Sequence, residues 1–257
     1  MPISISRPLR RLSQKEFGEI AYETMRHVFD IHRELGRFFE ERIYKNELAY
    51  RLPGVQLEVP IDITFGAFSK RLCLDVLVGE GAVFEFKAVE KLANPHRAQL
   101  IQYLLLGELA HGKLVNMRPP QVEHEFVNTT LRRANRTTFE VHCVDWPESD
   151  PELVRFREFM VGFLRDLGTG LTIPLYEEAA VPYETRLEIT TAGRVLGEQR
   201  VRLITPEAAL RITTFDDMSV HFESHARRWL AHTRLRSIAW VNIAVGEVTF
   251  RNLKAEE

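Results

Sequence analysis

Between residues 55 and 88 apolar and polar positions alternate through three successive runs, "VQLEVPIDITF", "RLCLDVLV" and "AVFEFKA", with turn signals at Gly66 and at "GEG" (79–81) between them. A period of two marks a strand with one buried face, and short glycine-bearing links between such runs make hairpins. A sheet of this kind must cover its apolar face, and helix patterns flank it on both sides. Ser13 and Glu16 form a capping box for a helix whose stripe is Ile20, Met25, Val28, Phe29 and Ile31 and whose stop is Gly36. A second helix is predicted over "FFEERIYKNELAYRL" (38–52), closed by Pro53 and Gly54, with Glu41 and Tyr44 on one face. After the strands, Asn94 and Pro95 supply an N-cap and first-turn proline for "PHRAQLIQYLLLGELA", and "KLVNM" and "VEHEFVN" read as strands. Helix, helix, three strands, helix, two strands predicts an α/β mixed sheet flanked by helices.

Composition narrows the function classes. With 45% hydrophobic and 27% charged residues the chain has material for a core. Its longest apolar runs, such as "YLLLG", fall far short of the roughly 20 residues of a membrane-spanning helix, and "MPISISRPLRRLSQ" lacks the apolar stretch of a secretory signal, so a cytoplasmic protein without membrane partners is expected. Two cysteines, Cys73 and Cys143, form no metal-type pair, and a net charge of −2 gives no global nucleic-acid signature.

The residues with chemical content lie on the alternating strands. Glu85 and Lys87, two apart in "VFEFKAVEKL", share a face opposite Phe84 and Phe86. Asp75 interrupts the apolar run "LCLDVLV", where an unpaired buried carboxylate would be costly and a cation would relieve the cost. His221 and His225, four apart, could bind zinc on a helix, but no third ligand accompanies them.

Four stretches together resemble the GxxExxY family of the PD-(D/E)XK nuclease superfamily: "IHRELG" (31–36), Glu41 with Tyr44, "LDVLV" (74–78) with "FEFKAVEKL" (84–92), and "AQLIQYL" (98–104). Phe38 stands where the family has glycine. The resemblance implies a restriction-endonuclease-like core and a metal-dependent nuclease site. Asp75 and Glu85, on adjacent antiparallel strands, can converge on Mg²⁺ or Mn²⁺, which favour carboxylate oxygens. The family adds the carbonyl near Phe86 and Glu41 as a further acidic ligand or water-linked neighbour. Lys87 would hold or deprotonate the attacking water or stabilise the phosphorus centre, and Gln99 would bond the scissile phosphate or orient Lys87; Tyr103, one turn on, reads equally well as core.

Asp150 and Pro151 open a further helix, and "RDLGTGLTIPLY" (165–176) echoes "RELGRFFEERIY" (33–44) at an offset of 132. At an offset of 126, Phe84 and Phe86 fall on Leu210 and Ile212, Tyr103 on Trp229, and "VN" on "VN". The expected organisation is a nuclease-like domain (13–128), a connector (129–149) with a strand around Val141, and a second α/β domain (150–257). The last is expected as a degenerate copy forming an intramolecular pseudo-dimer with the first, the alternative being an unrelated α/β appendage. In it Asp75, Glu85, Lys87 and Gln99 correspond to Val201, Arg211, Thr213 and His225, so the acidic site is gone. Arg227, Arg228, Arg234 and Arg236, with Arg132, Arg133 and Arg136, could contact phosphates. The expected function is phosphodiester hydrolysis, in DNA ahead of RNA; the alternatives are an inactive nuclease-fold module binding nucleic acid or a protein, and a purely structural metal.

Overall fold

The computed structural model describes residues 2–215 and 220–255 and divides into two units, 1–133 and 134–257. In the first unit a short strand, β1 (Ile3–Ile5), precedes α1 (Gln14–Leu35) and α2 (Glu41–Arg51). Then come β2 (Val55–Phe65), β3 (Phe68–Val78), β4 (Ala82–Lys87), α3 (Asn94–Leu106), β5 (His111–Asn116) and β6 (Glu123–Asn128). The sheet runs β1-β2-β3-β4-β5-β6, antiparallel throughout except for β4 and β5. That parallel pair needs a crossover, and α3 supplies it.

Local chemistry explains the boundaries. The Ser13 hydroxyl accepts from the Glu16 amide at 3.3 Å while the Glu16 carboxylate accepts from the Ser13 amide at 2.8 Å, the reciprocal box read from the sequence. Asn94, expected as the cap of α3, is instead its first helical residue: the cap position is Ala93, whose amide donates to His96 Nδ1 at 3.1 Å, and Pro95 sits in the first turn. Phe17, Ala21, Met25, Val28 and Ile31 of α1 meet Tyr44 and Leu48 of α2 over Val76, Phe84, Phe86 and Val115 of the sheet. On the other face Leu100 of α3 lies against Gly112, close enough that a side chain there would press on it at 3.0 Å.

The second unit contains α4 (Arg133–Thr137), β7 (Glu140–Val144), α5 (Pro151–Leu167), α6 (Ile173–Ala180), β8 (Thr185–Thr191), β9 (Arg194–Val201), β10 (Leu203–Thr205), β11 (Ala208–Thr213), α7 (Val220–Leu230), β12 (Ser237–Ala244) and β13 (Glu247–Lys254). Its main sheet runs β10-β11-β12-β13-β7, and β8 with β9 forms a separate hairpin. Residues 129–149, read as a connector, thus contribute α4 and an edge strand, β7, parallel to β13. Asp150 caps α5 by accepting from the Glu152 and Leu153 amides, as its sequence predicts.

The two sheets share a register at constant offset. Phe84 pairs with Lys113 and Lys113 with Phe126 in the first; 126 residues on, Leu210 pairs with Ala239 and Ala239 with Asn252. Leu77 pairs with Val83, and Leu203 with Ala209.

Candidate active site

β4 is the hub of the site. Phe84 and Phe86 enter the helix-covered core, so alternation turns Glu85 to the opposite face, where it is 0% exposed. The β3–β4 register runs from Val78 opposite Ala82 to Val76 opposite Phe84. Beyond it the Asp75 carboxylate replaces a backbone acceptor: its Oδ2 takes the Phe86 amide at 3.1 Å. The chain leaving β4 is pinned from both sides. The Lys87 carbonyl accepts from the Met117 amide at 2.8 Å, the Ala88 amide donates to Glu41 Oε1 at 3.2 Å, and Asn116 clamps both backbone groups of Val89, accepting at 3.1 Å and donating at 2.8 Å.

Glu41 reaches this point because the bend between α1 and α2 is tied. Tyr44 donates its hydroxyl proton to the Gly36 carbonyl at 2.9 Å and accepts from the Phe39 amide at 3.1 Å. Gly36 has φ of 73°, in the left-handed region that glycine adopts freely. Phe38 has no such backbone and points outward, 78% exposed, so phenylalanine is tolerated there without altering the bend.

The charges are unevenly satisfied. Lys87 Nζ lies 2.5 Å from Glu85 Oε1, whereas Glu85 Oε2 is buried without a hydrogen-bond partner. Burial, and then the neighbouring Asp75 carboxylate, push the Glu85 carboxyl up to about 8, against the pull of Lys87. For Lys87, burial favours the neutral amine, but Glu85, Asp75 and Glu41 outweigh it and raise its pKa, which favours the hydrogen-bond-donating ammonium. Asp75 Oδ1 accepts from Lys45 Nζ at 3.0 Å, and Lys45 also pairs with Glu58.

Asp75, Glu85, Lys87 and Glu41 are therefore brought together. The Gln99 amide donates to the Tyr103 hydroxyl at 3.0 Å. Burial pushes Tyr103 up to about 12, and the Glu85 and Asp75 charges add to this, which puts its ring within reach of the site's field. Lys45 and Glu58 were not singled out from sequence. The signal for Lys45 was its spacing, four after Glu41 and so on the same face of α2; Glu58 gave none. Arg227 and Arg228 lie on α7, where Arg227 donates to the Lys254 carbonyl at 2.9 Å and Arg228 to the Ser224 carbonyl at 3.3 Å. Among the described residues no three His, Cys, Asp or Glu side chains form a ready-made metal ligand set, His221 and His225 included.

A divalent cation nonetheless suits the donors present. Lys87 meets only one oxygen of Glu85; the other, buried without a hydrogen-bond partner and beside a second carboxylate, would be relieved by a proton or a further cation. Residues 18–129 match a family model described as PD-(D/E)XK nuclease superfamily. No curated protein matches the chain. Among solved structures, "Crystal structure of SSO0001" aligns at 20% identity and a TM-score of 0.29, over 47% of this chain and 61% of that one. The segment that carries the paired acids, the lysine and the helix glutamate is the part of the chain that matches the PD-(D/E)XK nuclease superfamily.

Proposed function

We propose that the first unit is a GxxExxY-type nuclease domain that hydrolyses phosphodiester bonds in DNA with Mg²⁺ or Mn²⁺. The observation that carries this is the orphaned Oε2 of Glu85, buried among Asp75, Glu41 and Lys87. Asp75 and Glu85 would hold the ion, with Glu41 as a neighbour. Once bound, such an ion polarises a phosphoryl oxygen and acidifies a water. The chain's own residues do the rest. The Lys87 ammonium donates to the oxygens of the reacting phosphate, where negative charge accumulates. The Phe86 amide holds Asp75 in place, the Met117 and Ala88 bonds fix the strand end, and Gln99 with Tyr103 borders the site on α3. The test is cleavage of labelled single-stranded and duplex DNA with Mg²⁺, Mn²⁺ or chelator. Wild type should cut only with metal, and Asp75→Asn and Lys87→Ala should not cut; chelator-resistant cutting, or full activity in both variants, refutes the reading.

A second reading, a nuclease-fold module that binds nucleic acid without cutting it, is favoured by one observation: Lys45 already neutralises Asp75. Folded protein that binds DNA but leaves it intact under every metal would support it.

We infer further that the second unit is a degenerate copy of the first. Besides the shared registers, two side-chain constellations recur. Tyr176 donates to the Gly168 carbonyl at 2.9 Å and accepts from the Leu171 amide at 2.8 Å, each partner 132 residues after its counterpart around Tyr44. Asn242 clamps Phe215, accepting and donating at 2.8 and 2.9 Å, as Asn116 clamps Val89 126 residues earlier. Arg211 then stands at the position of Glu85, its guanidinium 5.2 Å above the Trp229 ring, and Thr213 at that of Lys87, bonded to Trp240 at 2.8 Å. In this reading the second unit grips rather than cuts, with Arg227 and Arg228 contacting phosphates. Replacing both by alanine should lower the salt dependence of DNA binding by about two phosphate contacts.

A further inference from the structure

Asp75 has a cation beside it already. Its Oδ2 is held by the Phe86 amide, but its Oδ1 is engaged by Lys45, 3.0 Å away. Lys45 is 6% exposed, so its charge is confined to the anions that face it, Asp75 and Glu58. Glu58 sits on β2 directly across from Asp75, between the pairs Leu57–Val76 and Val59–Leu74, and its side chain is 54% exposed. Its φ is 51°, a left-handed backbone that a glutamate inside a strand does not adopt without cause.

A divalent ion on Asp75 Oδ1 and an ammonium on the same oxygen repel strongly at such separations in a site this enclosed. One must leave, and Lys45 is already bonded to a second anion, Glu58, on the solvent side.

We propose that Lys45 is the resident counter-cation of this site and that a divalent ion binds by displacing its ammonium from Asp75, leaving it held by Glu58 alone. The proposal rests on the reading of Asp75 and Glu85 as the cation-binding pair. It assigns Lys45 a positioning role that sets metal affinity: the vacant site is neutralised by the chain itself, and the metal enters by exchange. Glu58 is the receiving group, and its unusual backbone is what aims it at Lys45.

The experiment is Mn²⁺ binding to the full chain after chelator treatment, followed by the paramagnetic resonance signal of free Mn²⁺. The set is wild type, Lys45→Met, Lys45→Gln, Glu58→Gln and Asp75→Asn, each first verified as folded by circular dichroism. Removing the competing charge should tighten Mn²⁺ about tenfold or more in Lys45→Met. Lys45→Gln, which keeps a donor near Asp75, should tighten it in the same direction and serves if the methionine variant does not fold. Glu58→Gln should weaken binding, because the displaced ammonium loses its receiver, and Asp75→Asn should abolish it. A merely structural Lys45 would not move the two sites in opposite directions. Unchanged or weaker binding in both Lys45 variants, with wild type binding and Asp75→Asn not, overturns the exchange while leaving the metal site intact. No Mn²⁺ binding by wild type overturns both.

Discussion

Glu85→Gln replaces an ionisable carboxyl by an uncharged group of nearly the same shape, and it should stabilise the metal-free protein in a pH-dependent way. The Glu85 carboxyl rises from 4.5 to about 8 on folding, through burial and then the Asp75 charge. Between these values the folded chain keeps a proton that the unfolded chain has released, so stability falls as pH rises through that window and the loss is complete above about 8. A rise of that size corresponds to about 5 kcal/mol. Relaxation around the charge takes up part of it, so the variant should exceed wild type by about 2–5 kcal/mol more at pH 9 than at pH 5. The tryptophans, Trp146, Trp229 and Trp240, all lie within 134–257 and cannot report the first unit. Hydrogen exchange of peptides spanning β3 and β4, with chelator present, follows it instead. Parallel stability curves for the two proteins across pH would refute the argument that an uncompensated charge resides at Oε2.

Three further outcomes follow from buried polar groups. Asn116→Ala leaves both backbone groups of Val89 without a partner and should destabilise the first unit by about 2–4 kcal/mol, measured by the same exchange experiment. If the second unit repeats the fold, Asn242→Ala should cost a similar amount, read there by tryptophan emission during urea unfolding. Lys113 is buried with its ammonium 3.6 Å from the centre of the Phe126 ring, and burial lowers its pKa. The folded chain therefore sheds a proton that the unfolded chain retains, stability rises with pH across that interval, and Lys113→Met should raise the thermal midpoint at pH 7 by an amount that shrinks as pH approaches the ordinary lysine value.

Much of this fold was legible because its signals are local. The capping box at Ser13, the proline after Asp150 and the alternation through β2 to β4 each act within a few residues, and each produced the element it predicts. Asn94 shows the limit: two neighbouring residues could both open a helix, and the His96 bond to the Ala93 amide selects the earlier start. β1 is a short edge strand whose sequence is too brief for a period to register; β7 was legible as a strand around Val141 but not as a sheet edge, and the pairing of both comes from long-range partners in β2 and β13. In the site, Asp75, Glu85 and Lys87 could be read because carboxylates and an amine break an apolar alternation. Lys45 and Glu58 could not, because a lysine on a helix and a glutamate on a strand are ordinary until the sheet sets one against the other. The tie from Tyr44 to Gly36 was visible only as a spacing, yet its bonds place Glu41 at the end of β4.

The central claim is that the unpartnered oxygen of Glu85 exchanges a proton for a metal ion. Titrating Mn²⁺ into chelator-treated protein at pH 7 in weak buffer, and measuring the protons released, tests it directly. Wild type should release about one proton per ion bound, and Glu85→Gln should release far less. Mn²⁺ binding with no proton release, or equal release from both proteins, would contradict it.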